Sequence, residues 1–185
     1  MRKIVAFDML SVDGYFAGPA GELDWHHVDR EFNEFVIPML KAAGTLLFGR
    51  ITYDLMAAYW PTPIGARDDP VVAGLMNSLP KIVFSKSLDT LSWNNCELMR
   101  DIVPEELFAL KNRESGDMLL LGSGTIVSAF AKAGLIDEYR FIVNPVILGK
   151  GKWLFDAAGE RIKLKLINSK RFESGNVLLD FEPVQ

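Results

Sequence analysis

Residues 118–155 read MLLLGSGTIVSAFAKAGLIDEYRFIVNPVILGKGKWLF, and this stretch decides the fold. It opens on Met118-Leu119-Leu120-Leu121, a short apolar run bounded by Gly122, the pattern of a strand buried on both faces. Gly122-Ser123-Gly124-Thr125 follows. Ile126, Val127, Ala129, Phe130 and Ala133 then fall at helical spacing, and Gly134 stands at the C′ position where a helix ends. Residues 139–148 return as a second strand. At such a strand-to-helix turn the first backbone N–H groups of the helix lack an internal partner and favour an anion such as a phosphate. By itself the signal is weak, since Ser123 reads equally as a plain N-cap. A Rossmann fingerprint would need Gly or Ala where this chain has Val127, and it usually lies near the N-terminus. A conventional Rossmann dehydrogenase is therefore disfavoured.

The chain has 185 residues, the size of one domain spanning 1–185 with a substantial core. Hydrophobic residues make up 49% and the formal net charge is −4, so neither nucleic acid nor an anionic membrane surface is indicated as a partner. The one cysteine, Cys96, can build neither a disulfide framework nor a zinc cluster, which fits a reducing compartment. His26 and His27 are adjacent and do not share a helix face, which argues against a two-histidine metal site. The basic start Met1-Arg2-Lys3 is not followed by a long apolar region, so it does not read as a signal peptide. No apolar run approaches the roughly 18–20 residues of a membrane span. The expected location is cytoplasmic.

Upstream, residues 3–10 form a mostly apolar first strand. Ser11-Val12-Asp13-Gly14 and Gly18-Pro19 break it into a long loop running through Trp25. Long ordered loops are often functional, and the alternative is a surface loop plugged by Trp25. Asp29 reads as an N-cap, with Phe32, Phe35, Val36, Met39 and Leu40 as the buried stripe. Pro38 should kink or break that helix, and Gly44 should end it. Residues 45–49 form a second buried strand that runs through Gly49 into a helix opened by Arg50, with Thr52 in its first turn. A cation there opposes the helix dipole, a conflict that a bound anion removes. Residues 62–67 read as loop, and Asp69-Pro70 as N-cap and N1 of a short helix. Residues 81–86 and 97–100 read as strands, and Pro104-Glu105-Glu106 opens another helix. Residues 162–166 alternate strictly, as a half-exposed strand near an edge does. Ser174-Gly175-Asn176 turns into a last strand over 177–181.

Strands alternating with helices, then closing strands, predict an α/β fold: a mixed, mainly parallel central sheet with helices on both faces and antiparallel C-terminal strands. In such sheets ligands sit beyond the strand C-termini. Asp13, Gly49, Ser85 and Gly122 all fall at such ends, which argues for one site.

Five segments carry a resemblance. Ser11-Val12-Asp13-Gly14, Phe48-Gly49-Arg50-Ile51-Thr52, Ile82-Val83-Phe84-Ser85, Leu121-Gly122-Ser123-Gly124 and Asn144-Pro145-Val146-Ile147-Leu148-Gly149-Lys150-Gly151 resemble dihydrofolate-reductase-like proteins. The nearest type is the stand-alone form of the reductase domain of the bifunctional riboflavin-biosynthesis deaminase/reductase. The resemblance implies a three-layer α/β/α fold that binds NADPH. It places Gly49, Arg50 and Thr52 on the pyrophosphate and 2′-phosphate side, and Ser85 and Lys86 near the adenosine. Gly122, Ser123, Gly124 and Thr125 face the pyrophosphate and nicotinamide ribose. Asp13, Tyr15 and the Trp25 loop border the substrate pocket. A carboxylate on the first long helix has three candidates, Asp29, Glu31 and Glu34. The resemblance also implies a homodimer pairing through a sheet edge. No His-x-Glu with Pro-Cys-x-x-Cys occurs, so zinc deamination is not expected.

The expected function is NADPH-dependent reduction of a C=N or carbonyl group in a small heterocycle, pteridine- or pyrimidine-like. Asp13 is the first candidate for orienting substrate or relaying a proton and Asp29 the second, against their readings as an Asp-Gly turn and an N-cap. The alternative is an NADP-binding protein of the same fold with little or no reductase activity, serving a regulatory or interaction role. Arg50 and Lys86 at strand ends, with no acidic residue adjoining Ser85-Lys86 in sequence, predict a preference for NADPH over NADH.

Overall fold

The computed structural model describes residues 1–113, 115–157 and 159–184. Strand β1 (Ile4–Ser11) runs into a turn and the short β2 (Tyr15–Ala17). A long loop leads to α1 (Arg30–Ala42), which passes without a linker into β3 (Ala43–Gly49). Then come α2 (Arg50–Tyr59), α3 (Pro63–Asp68), α4 (Pro70–Ser78), β4 (Lys81–Phe84) and β5 (Cys96–Met99). Helix α5 (Pro104–Lys111), β6 (Asp117–Leu120), α6 (Gly124–Lys132) and β7 (Glu138–Asn144) follow. The two-residue β8 (Lys152–Trp153), β9 (Leu164–Arg171) and β10 (Val177–Pro183) complete the chain.

Eight strands form one sheet in the order β5-β4-β3-β6-β1-β7-β10-β9. The first six are mutually parallel, and β10 and β9 run antiparallel at the end. Alternation along each strand sends neighbours to opposite faces. Ile4, Ala6, Leu47 and Leu120 meet Leu107, Leu110, Val127 and Phe130 of α5 and α6. Val5, Leu46, Phe48 and Leu119 meet the buried faces of α1, α2 and α4. The result is the expected three-layer α/β/α arrangement with a mixed, mainly parallel sheet.

Local chemistry explains the helix starts. Asp29 caps α1 by accepting from the Phe32 N–H at 2.8 Å, and Asp69 caps α4 through Val72 N–H at 2.9 Å. Three expectations need correction. Pro38 does not break α1; it lies inside the helix on its exposed side, away from the buried stripe. Gly44 does not end that helix; it is the second residue of β3 and packs on the backbone of Gly116. Residues 62–67 are not a loop: Thr62 caps Gly65 N–H at 3.3 Å and Pro63 opens α3. A second, two-stranded sheet was not anticipated. It pairs β2 with β8 and lies across the loop-bearing edge, with Tyr15 and Trp153 rings 4.3 Å apart. Among the described residues no helix is long and apolar enough to cross a membrane.

Candidate active site

The parallel strands β4, β3, β6 and β1 are neighbours and end on one edge, so Ser85, Gly49, Gly122 and Asp13 share that edge. At its centre the N-termini of α2 and α6 stand side by side. Gly49, the cap residue of α2, donates its N–H to the Gly122 carbonyl at 3.3 Å. Ser123 occupies the cap position of α6. No side chain caps either helix, in contrast to α1 and α4, and neither has an acidic residue in its first turn. Two bundles of free N–H groups thus face the same spot, a setting that favours an anion.

Glycine is what lets the two turns approach. A Cβ on Gly49 would lie 2.6 Å from Ile126 Cγ1 and 2.8 Å from Ser123 Oγ. Gly122 has φ +55°, and a Cβ there would lie 3.2 Å from both Asp8 Oδ1 and Thr52 Oγ1. Gly124 is covered by Phe16 and the backbone of Trp153, which roofs the start of α6, while Thr125 is exposed. Arg50 lies exposed at the first position of α2 and pairs with Asp54 at 3.1 Å.

Toward β5 the edge opens into a cavity of about 300 Å³ lined by Phe84, Ser85, Lys86, Arg100, Asp101, Ile102 and Ile126. Ser85 Oγ accepts from the N–H groups of Ser87 and Leu88, so it shapes the turn after β4. The expected absence of an acid beside Lys86 holds in sequence and fails in space, because Asp101 Oδ1 lies 2.7 Å from Lys86 Nζ. The parallel pairing of β4 and β5 brings these two strand ends together. It also brings a cation that sequence reasoning missed. Arg100 donates to the backbone carbonyls of Ser85 and Leu88 and so is held at the cavity wall.

Toward β1 the candidate acids differ in their surroundings. Asp13 accepts from the backbone N–H groups of Leu148 at 3.1 Å and Gly149 at 2.8 Å. Burial pushes its carboxyl up, but bonds from Ser11, Leu148 and Gly149 outweigh that and hold it below its ordinary range. It ties the loop after β1 to the bend after β7 and is a poor proton donor. Asp29 is the α1 cap and lies 3.6 Å from His27 Nε2. Glu31 accepts from Glu173 N–H and pairs with Lys170, and Glu34 pairs with Arg30 on the surface. A carboxyl that sequence reasoning did not single out is Asp8, on β1 beside Gly122. It is only 8% exposed, and its Oδ2 has no hydrogen-bond partner among the described residues. Burial raises its carboxyl well above the usual range. A sequence signal existed: Asp8 is the one charged residue in Ile4-Val5-Ala6-Phe7-Asp8-Met9-Leu10, on the face of Ile4 and Ala6.

The loop from Ala17 to α1 lies near this end. Asn144, buried at the end of β7, accepts from His27 N–H at 2.9 Å, and Asn176 donates to His27 carbonyl at 2.9 Å. Trp25 bonds the Glu22 carbonyl and meets the His26 ring edge-on at 4.4 Å. Tyr15 belongs to the small sheet, stacked on Trp153.

Residues 2–178 match the RibD C-terminal domain family. The chain belongs to that family. Among curated proteins, the uncharacterized protein YyaP of Bacillus subtilis (strain 168) is 33% identical over 178 residues, 95% of this chain and 92% of that protein. Among solved structures, a putative riboflavin biosynthesis protein from Shewanella sp. PV-4 superposes with a TM-score of 0.77 at 22% identity, covering 99% of both chains. The dihydrofolate reductase of Enterococcus faecalis, complexed with NADP(H) and RAB-propyl, superposes with a TM-score of 0.67 at 15% identity over 99% of this chain and 97% of that one. The RibD C-terminal domain and dihydrofolate reductase thus share this sheet and its layers. The residues present here fit a dinucleotide: two uncapped helix starts suit its phosphates, and the cavity by Arg100 suits one end.

Proposed function

We propose that the protein is an NADPH-dependent reductase of the C=N or carbonyl group of a small heterocycle, pteridine- or pyrimidine-like. The observation that carries it is the Gly49–Gly122 contact, which joins two uncapped helix starts between a cation-lined cavity and a buried carboxyl. The dinucleotide supplies a hydride when bound. Gly49 and Ser123 N-termini hold its phosphates, and Lys86 and Arg100 attract the 2′-phosphate end. Asp13, Tyr15 of β2 and the Trp25 loop border the substrate side.

A competing reading, NADP binding without turnover, draws support from Asp13 and Asp29, because both are committed to backbone bonds. One experiment separates them. NADPH oxidation is followed with dihydrofolate, pteridines and aminouracils in turn. Turnover of at least one supports the reductase. Binding of NADPH in titrations without oxidation across the panel supports the binding protein instead.

A further inference from the structure

We propose that Asp8 is the acid of this site: its carboxyl gives its proton to the nitrogen or oxygen of the substrate's C=N or C=O bond. The proposal rests on the reductase assignment above and names the group that completes it.

Three observations converge on Asp8. Its Oδ2 is enclosed and unpartnered, in a protein whose other buried carboxylates have work: Glu138 and Asp180 both pair with Arg140. An orphaned buried carboxyl costs stability and calls for an explanation, a catalytic role among them. It also sits where the ligand edge is most closely built. Its Oδ1 lies against Gly122, at the turn between β6 and α6, and Thr52 reaches the same glycine from α2. Finally, no charge drives it to ionise. Gly122 adjoins it, Phe141 is its register partner on β7, and burial alone moves its titration, upward. A carboxylic acid whose titration is pushed up by burial keeps its proton to higher pH and can donate a hydrogen bond and then a proton. Asp13, on the same strand's outgoing turn, is held charged and cannot substitute.

The step balances. A bound reduced nicotinamide would supply the hydride for the new C–H bond and be oxidised in doing so. The π pair of the C=N or C=O bond moves to the heteroatom. The O–H bond of Asp8 breaks, and its proton joins that heteroatom as N–H or O–H. The Asp8 carboxylate is then reprotonated from solvent before the next turnover.

The test begins on the wild-type protein without ligand. Infrared difference spectra should show one protonated carboxyl persisting at pH 7, and its titration gives the Asp8 pKa. Single-turnover hydride transfer from NADPH to the active substrate should decline as pH rises through that same pKa. Asp8→Asn should remove the infrared band, leave the NADPH dissociation constant within about twofold, and slow hydride transfer by about 100-fold or more. Asp8→Glu should restore part of the rate. A wild type with no protonated carboxyl at pH 7, or a pH profile that ignores its pKa, overturns the proposal even if Asp8→Asn fails to fold. So does an Asp8→Asn protein that keeps its rate. Absence of turnover by the wild type with every probe overturns the reductase assignment itself, and the proton-donor role falls with it.

Discussion

Gly49 donates its N–H to the Gly122 carbonyl across 3.3 Å, and that bond sets the starts of α2 and α6 against each other. The approach has no room for a side chain. In Gly49→Ala the new methyl would meet Ile126 Cγ1 at 2.6 Å and Ser123 Oγ at 2.8 Å. Overpacking of that kind costs about 1–3 kcal/mol. Separating the two helix starts should weaken NADPH binding at least tenfold, equal to about 1.4 kcal/mol. Fluorescence titration with NADPH and a thermal melt check it. The idea fails if affinity is unchanged while the melting temperature falls.

Cofactor choice follows from the cavity beside β4 and β5. Lys86 is neutralised in part by Asp101, so removing the acid should free the cation for a 2′-phosphate. Asp101→Asn is expected to tighten NADPH relative to NADH. Lys86→Ala and Arg100→Ala should each weaken NADPH about tenfold more than NADH at low salt. Arg50, paired with Asp54, should matter less for that ratio. Equal losses for both cofactors would place the 2′-phosphate elsewhere.

Asp13 and Asp29 separate catalysis from architecture. Asp29→Ala should cost about 1 kcal/mol of stability, the usual price of an N-cap, with little change in kcat. Asp13→Ala frees Leu148 N–H and Gly149 N–H and loosens the loop against the bend. It should raise KM more than it lowers kcat. A kcat loss of 100-fold in either variant, with a normal melt, would return that residue to the chemistry.

What was legible in the sequence was what local rules encode. Asp29 and Asp69 announce helices because a cap acts within three residues, and Leu119-Leu120 reads as a buried strand because both faces are covered. The pairing of β2 with β8 has no local signal, since three residues and two residues show no period. The Lys86–Asp101 pair was hidden for a related reason: only the register of β4 on β5 brings those ends together. Asp8 was passed over inside an apolar strand, where a lone carboxylate is itself the anomaly.

The outer edge of the sheet predicts a second copy. All eight residues of β9 are exposed, including Leu164, Leu166 and Ile167, and its outer backbone groups pair with no other strand of the sheet. An exposed edge strand with unpaired backbone groups is a template for pairing, and Leu164, Leu166 and Ile167 offer apolar contact along it. Light scattering at micromolar concentration should give twice the 20.7 kDa chain mass, and Leu166→Lys should return it to one. A wild type that scatters as a single chain removes the dimer.

His26 should set the acid limit of the fold. The residue is half-buried, and its Nε2 is buried with no partner among the described residues. Burial lowers its pKa from 6.5 to about 4, and a hydrogen bond to the Phe16 backbone only partly opposes this. The folded state therefore prefers the neutral ring, while the unfolded chain takes up a proton near 6.5. The stability it contributes is present above that pH and is lost as pH falls from about 6.5 toward about 4. At about 1.36 kcal/mol per unit, the loss over that window is roughly 3 kcal/mol. Because His27, the next residue, is fixed by Asn144 and Asn176, charging His26 should strain the loop before it unfolds the sheet. Chemical denaturation of wild type and His26→Gln between pH 7 and pH 4 checks the sign. The wild type should lose more stability than the variant over that range, and parallel curves would show that His26 is protonated equally in both states.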